Sequence, residues 1–170
     1  MGEAVSLWLH LLAVTVWIGP QVFLFVAAIP AIRTLEDMQT RVRATRMVTT
    51  RFGWLGGGAM LVIILTGVIN LSQVDGYTTS ELLNGDIRFA RIFWEKMVLV
   101  ALAMTLIGLH TFLTGPRQLQ LMEQAEADPA EQRNVRRLSM ALSSVGLLAS
   151  IGALYLGAVL GNHEYSLVPQ

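Results

Sequence analysis

Long runs of apolar residues, separated by short charged segments, dominate the chain. No Asp, Glu, Lys or Arg occurs between Val5 and Ile32, and three further apolar runs follow. A transmembrane helix needs about 20 mostly apolar residues, and each run is long enough. The pattern therefore predicts four membrane spans, with apolar stretches at residues 4–32, 52–74, 92–114 and 138–161.

The connecting segments predict that the helices continue beyond these stretches. Asp128 before Pro129, with Glu131 in the first turn, is typical of a helix start. Thr34, followed by two acidic residues, is interpreted in the same way, and residues 75–83 are expected to hold a short interfacial helical piece. The sequence thus predicts an all-α integral membrane protein, a single membrane domain over residues 1–170. Its four-helix bundle has helices at about 4–32, 36–74, 87–120 and 129–161.

The basic residues are distributed unevenly between the two sides of the predicted bundle. Cytoplasmic segments of membrane proteins carry an excess of Lys and Arg. The connections after the first and third spans hold nine basic residues, against three around the start of the third span. This predicts an N-out, C-out multi-pass protein of the bacterial cytoplasmic (inner) membrane. The nine are Arg33, Arg41, Arg43, Arg46, Arg51, Arg117, Arg133, Arg136 and Arg137, and the three are Arg88, Arg91 and Lys96.

Composition narrows the chemistry that the chain can perform. The 12 basic and 12 acidic residues balance, so a nucleic-acid partner has no electrostatic support. The chain has no cysteine, which excludes disulfides, thiolate metal sites, iron–sulfur clusters and covalent c-type haem attachment. Any redox chemistry must then use a non-covalent cofactor held by His, Lys, Met or Tyr.

Polar side chains from all four spans are predicted to lie at a similar depth. At 1.5 Å per residue, His10 is roughly 9 Å inside the first span, and Trp17 follows on the same helical face. His110 instead lies near the cytoplasmic side of the third span. The residues expected near the level of His10 are Asn70, Lys96 and Tyr155, with His163 one or two turns higher.

Each of these residues also has a purely structural interpretation. His10 and His110 are compatible with interhelical hydrogen bonds, His163 with a solvated position after a helix end, and Lys96 with an interfacial anchor. Ionisable residues inside a membrane are costly and usually face a bundle interior or a functional cavity. Their convergence therefore favours a functional site.

Several stretches resemble the CopD-like copper-resistance membrane family and the related HemJ-type membrane protoporphyrinogen IX oxidases. They are LWLHLLAVTVWIG, RFGWL with LTGVINL, and FWEKMVLVALAMTLIGLH. The shared pattern is a first-span histidine with Trp and Gly seven and nine residues later, a Thr-Gly late in the second span, and a lysine entering the third. The resemblance implies a four-helix core that binds b-type haem, with His10 and Lys96 matching the family's histidine and lysine.

The implied haem assigns further roles to the polar residues. Neutral imidazole is the usual axial donor, so His10 is expected to bind the iron, oriented by Asn70 or a backbone carbonyl. His163 or a deprotonated Lys96 would complete the coordination, and Lys96 is also the expected catalytic residue. The other residues expected to contribute are Trp17, Tyr155, Arg88 and Arg91, the two arginines at the propionates, and His110 if a second haem is bound.

The expected function is electron transfer or oxidoreduction with a membrane-soluble partner, quinol-like or a tetrapyrrole, as in a haem-dependent membrane oxidoreductase. Two alternatives stay open: a copper-handling membrane protein that uses His and Met, and a cofactor-free structural subunit of a larger membrane complex. Small-residue ridges on the second and fourth spans are compatible with a homo-oligomer or a membrane-complex partner.

Overall fold

A computed structural model describes residues 2–124 and 128–169 of the chain, and four long helices make up most of them. They are α1 (Gly2–Arg33), α2 (Met38–Leu71), α4 (Arg88–Glu123) and α5 (Pro129–Gly161), and each is long and apolar enough to cross a membrane. Two short helices, α3 (Thr79–Asn84) and α6 (His163–Ser166), complete the order. The described residues contain no β-strand. The predicted all-α bundle of four spans is therefore confirmed.

The four spans form two antiparallel helix pairs. Helix α1 packs along α2, α4 packs along α5, and the pairs meet where α1 contacts α5 and where the C-terminal part of α4 contacts α2. We call the end of the bundle that carries residues 2 and 169 the terminal end, and the end at residues 34–37, 124 and 128 the loop end. Large apolar side chains cover the outside of the bundle, among them Trp54 at 82% exposure and Phe112 at 78%, as a lipid environment requires.

The starts of two spans are fixed by acidic caps. Asp128 accepts a hydrogen bond from the Ala130 N–H at 2.9 Å, as the sequence predicted. For α2 the prediction was wrong, because Asp37, not Thr34, is the cap and accepts from the Thr40 N–H at 2.7 Å. The Thr40 hydroxyl donates to the same carboxylate. The hydrogen bonds from the Thr40 hydroxyl and N–H lower the pKa of Asp37, so the cap is ionised at neutral pH.

Two π-helical turns widen the spans toward the loop end, and in each case a proline, Pro30 or Pro116, is the second residue after the turn. In α1 the turn is Leu24–Ala28, closed by the bond from Ile29 N–H to the Leu24 carbonyl. In α4 it is His110–Thr114. Because proline has no N–H and its ring clashes with the carbonyl four residues earlier, it disturbs a regular helix at this point. A π turn, with one extra residue, accommodates the disturbance.

The terminal end is closed by a small cap of loops and short helices. The buried residues Leu82, Phe89, Ile92 and Leu160 form an apolar cluster there. The C-terminal segment is held against it, since the Arg88 N–H donates to the Val168 carbonyl at 3.0 Å. The predicted helical piece in this loop exists, shifted slightly to Thr79–Asn84.

Candidate polar site in the bundle

One face of α1 places two polar side chains against α2 near the terminal end. The Ser6 hydroxyl donates to Asn70 Oδ1 at 2.6 Å, and the His10 Nδ1 lies 2.9 Å from the Thr66 hydroxyl oxygen. Ser6 and Thr66 are both buried. Asn70 therefore reaches the predicted level, but its amide oxygen binds Ser6. The side-chain partner of His10 is Thr66 and not Asn70, while the other expected partner, a backbone carbonyl, is present as that of Ile63.

The hydrogen bonds of Thr66 define how the histidine is protonated. The Thr66 hydroxyl donates to the Val62 carbonyl at 2.6 Å, and its single proton is then committed. Its oxygen can only accept, so His10 donates through Nδ1–H, and the Ile63 carbonyl is a further acceptor beside the ring. In the neutral imidazole the other nitrogen, Nε2, keeps its lone pair.

Lys96 enters the same region from α4, and it is the only lysine of the chain. Its amino group approaches α5 so closely that a Cβ built at Gly157 would lie 3.5 Å from Nζ. Lys96 is near enough to His10 to interact with it electrostatically. Within residues 2–124 and 128–169 no acceptor binds its amino group. The predicted proximity of His10 and Lys96 is thus present in the structure.

Glycines allow both basic side chains to approach the neighbouring helices. A Cβ at Gly67 of α2 would lie 3.5 Å from the His10 Cε1, while Gly157 occupies the corresponding position beside Lys96. A side chain in place of either glycine would fill the space beside the His10 ring or the Lys96 amino group. The small residues of these helices therefore shape the polar site as well as the packing.

Trp17 lies on the same face of α1, deeper in the bundle. Its indole N–H donates to the Ser150 hydroxyl of α5 at 3.2 Å, and its ring lies 3.5 Å from a Cβ built at Gly56 of α2. Trp17 thus connects three helices below His10. It bounds the polar site on the side that faces the loop end.

His110 is part of a second, separate polar contact. Its Nδ1 lies 3.0 Å from the Ser139 hydroxyl and 3.4 Å from the Thr114 hydroxyl. Ser139 is 3% exposed and stands near the start of α5, while Gly157 at Lys96 stands near its end. Four turns or more of α5 separate the two histidine levels, so His110 does not join His10.

Tyr155 and His163 do not join the cluster. Tyr155 has the predicted depth, but its side chain faces outward and is 67% exposed. His163 begins α6 and is exposed as well, beyond the end of α5. Depth along a helix was predicted correctly for Tyr155, but the direction of the side chain around the helix axis was not.

The two arginines of the terminal end lie in the cap of loops and short helices. The guanidinium carbon of Arg88 is 4.9 Å from the centre of the Tyr165 ring, and Arg91 is exposed. No hydrogen bond or ring contact among the described residues links either arginine to His10 or Lys96. Their pairing with haem propionates stays a prediction.

The donor set is sparse. In the described part of the chain, no group of three or more His, Asp or Glu side chains is arranged to hold a metal ion. Among these residues the site offers one oriented imidazole and one amine. That set matches a cofactor which brings its own equatorial ligands and needs one or two axial donors from the protein, as haem does.

Comparison with known proteins gives a family but no characterised relative. The family model described as "Domain of unknown function (DUF4149)" matches residues 12–127, which include Trp17, Thr66 and Lys96 but not His10. No curated protein and no solved structure matches the chain.

Proposed function

The chain belongs to the DUF4149 family, a domain family of unknown function, and we propose that it is a b-type haem-binding membrane protein. The observation that carries the proposal is the orientation of His10. Its Nδ1–H is committed to Thr66 of α2, which leaves Nε2 as a lone-pair donor within the bundle.

Three residues of the site would each contribute to holding such a cofactor. His10 would provide the axial nitrogen, and Thr66 would fix the ring orientation and raise its basicity, as second partners of metal-bound histidines do. Trp17 would close the site toward the loop end. When bound, haem b supplies one-electron redox chemistry at its iron, and a membrane-embedded site suits exchange with a quinol-like or tetrapyrrole partner. Copper handling remains an alternative hypothesis that no specific contact favours.

The direct experiment is to purify the full chain from cells supplied with a haem precursor and to record its absorption spectrum. We expect a Soret band and a b-type pyridine haemochrome at a fixed stoichiometry. A colourless, folded protein that does not take up added haemin would contradict the proposal.

Thr66→Val is expected to weaken haem binding by roughly 10–100-fold, the usual effect of losing a group that orients a metal-bound histidine. Valine keeps the shape of threonine but cannot accept the His10 proton. Thr66→Ser should restore binding. Thr105→Val is the matched control, because the Thr105 hydroxyl bonds only to the Ala101 carbonyl of its own helix. Nitrogen-15 NMR of histidine-labelled protein, read without haem, should show the Nδ1–H form of His10 and its loss in Thr66→Val.

Lys96 would act on the haem when it is bound, either by binding the iron through its amine or by lying beside the haem as a cation. Lys96→Met should shift the Soret band or the reduction potential and leave the folded yield near normal, since methionine fills similar volume. Because Lys96 is the only lysine, amine acylation offers a second test that competes only with the terminal amine. An unchanged spectrum and potential in Lys96→Met would make Lys96 an interfacial anchor.

We also propose that both termini face away from the cytoplasm of a bacterial inner membrane. The proposal rests on the excess of basic residues at the loop end. Alkaline phosphatase, which is active only outside the cytoplasm, should be inactive when fused after residue 40 and active after residue 80. A fusion after residue 125, which lies outside the described residues, should also be inactive. The reverse pattern would contradict the orientation.

A further inference from the structure

A groove of about 400 Å³ lies at the terminal end, on the outward face of α5. It is lined by Tyr155, Ala158, Val159 and Asn162, which share one face of α5, and by Tyr165 of α6. Because Tyr155 is 67% exposed, this groove opens away from the bundle interior. It is therefore a separate feature from the site of His10 and Lys96.

The polar groups of the groove are rich in unused hydrogen-bond donors. Among the described residues, the hydroxyls of Tyr155 and Tyr165 and the side-chain amide of Asn162 bind no partner. No carboxylate lines the groove. The closest acidic residue in the sequence, Glu164, is exposed and makes no ion pair. Hydroxyl and amide groups that have no internal acceptor suit a ligand that only accepts hydrogen bonds.

A cation lies against one of the residues that line the groove. The Arg88 guanidinium carbon is 4.9 Å from the centre of the Tyr165 ring, within the range of a cation–π contact. Its side chain makes no ion pair in the described part of the chain. The backbone of Arg88 is tied to the Val168 carbonyl, and the Tyr77 hydroxyl donates to the Leu167 carbonyl at 3.2 Å. These bonds hold the C-terminal segment, which follows Tyr165, beside the start of α4.

The groove changes character along α5. Tyr155 lies roughly 9 Å deeper than the helix end at Gly161, and Ala158 and Val159 provide an apolar wall. Asn162, Tyr165 and Arg88 are grouped where the chain leaves the apolar span. The groove thus has an apolar lower part and a polar, cationic upper part, the order of polarity found in a phospholipid.

We propose that this groove binds one phospholipid of the leaflet at the terminal end. Its phosphodiester accepts hydrogen bonds from Arg88, Asn162 and Tyr165, and its acyl chain lies along Ala158 and Tyr155. Arg favours phosphate because its guanidinium presents several donors in a fixed plane. The proposal does not depend on haem binding.

The test uses the full chain in detergent and native mass spectrometry. Three probes are added separately: a phosphatidylglycerol, a diacylglycerol with the same acyl chains, and inorganic phosphate. We expect one phosphatidylglycerol to be retained per chain. Arg88→Gln should weaken its retention about tenfold, the loss of one charge-assisted contact. Tyr165→Phe, which keeps the ring and removes the hydroxyl, should weaken it by a few-fold. Arg91→Gln, an exposed arginine one turn away, is the control and should leave it unchanged.

Three results would overturn the proposal. Equal retention of the diacylglycerol would mean that acyl chains alone are bound. Equally strong binding of inorganic phosphate would mean a site for free anions. An equal loss in Arg91→Gln would mean attraction by general surface charge. If Arg88→Gln does not fold, Tyr165→Phe and Asn162→Leu decide the question, since each removes one proposed hydrogen-bond donor to the phosphodiester, and wild-type retention in both would contradict the proposed contacts.

Discussion

His10→Ala is expected to abolish the Soret band of the purified protein. The variant removes the donor nitrogen itself, so its effect should exceed the roughly 10–100-fold loss that follows removal of an orienting partner. Haemin titration of the detergent-solubilised variant gives the binding constant, and circular dichroism checks that the bundle is helical. Free imidazole added to His10→Gly should restore part of the band, because it can occupy the vacated space.

The other two histidines are controls for this result. His110→Ala breaks the contact with Ser139 and should leave the haem signal intact unless a second haem lies near the loop end. His163→Ala removes an exposed side chain and should at most change the spin state. A His10→Ala protein with wild-type stoichiometry and an unaltered Soret band would show that His10 is not a ligand.

Gly146→Ala is expected to destabilise the bundle by about 1–3 kcal/mol, as overpacking of a closely packed interface does. A Cβ at this position would lie only 2.8 Å from the Ile107 Cγ1, where α4 and α5 cross. The midpoint of unfolding in a detergent–SDS mixture measures the change.

The control for this variant should change stability in the opposite direction. At Gly57 nothing lies within 4 Å of an added Cβ, so alanine there gains only helix propensity, about 0.5–1 kcal/mol. Equal effects of the two substitutions would contradict the described crossing of α4 and α5.

Much of the fold could be predicted because membrane spans have a strong signal in the sequence. Residues 5–32 include no charged side chain, and their hydropathy alone locates the helix that the structure places at Gly2–Arg33. Helix ends were less certain. Thr34 and Asp37 are both good caps, and which one begins α2 depends on where α1 stops, a tertiary property that short-range chemistry does not determine.

For the candidate site, the sequence predicted how deep each residue lies along its helix but not the direction in which its side chain points. Counting 1.5 Å per residue places His10, Asn70 and Lys96 at one depth, and the structure brings His10 and Lys96 near each other while Asn70 binds Ser6 instead. The same count includes Tyr155, whose side chain lies on the opposite side of α5 and is exposed. When a helix is apolar on all sides, its sequence does not indicate which face points toward the bundle interior.

Thr66 and Ser6 were missed as members of the site. A hydroxyl residue in a span usually bonds to its own helix, as Thr66 also does with the Val62 carbonyl. Its second contact, to His10, depends on how α1 and α2 are rotated against each other. The Thr-Gly pair late in the second span was visible as a motif, and its physical meaning is now clear: the threonine binds the histidine, and the glycine gives it room.

The π-helical turn at His110–Thr114 sets the rotational phase of the helix that follows it. One extra residue in a turn advances every later side chain by about 100°. With this advance, Leu121 lies in the interior at 2% exposure, and Glu123 reaches Arg46 of α2 at 2.6 Å. If one residue were deleted from the turn, Leu121 would point outward and Glu123 would be carried away from Arg46. A proline that disturbs one span thus determines which charges meet at the far end of the bundle.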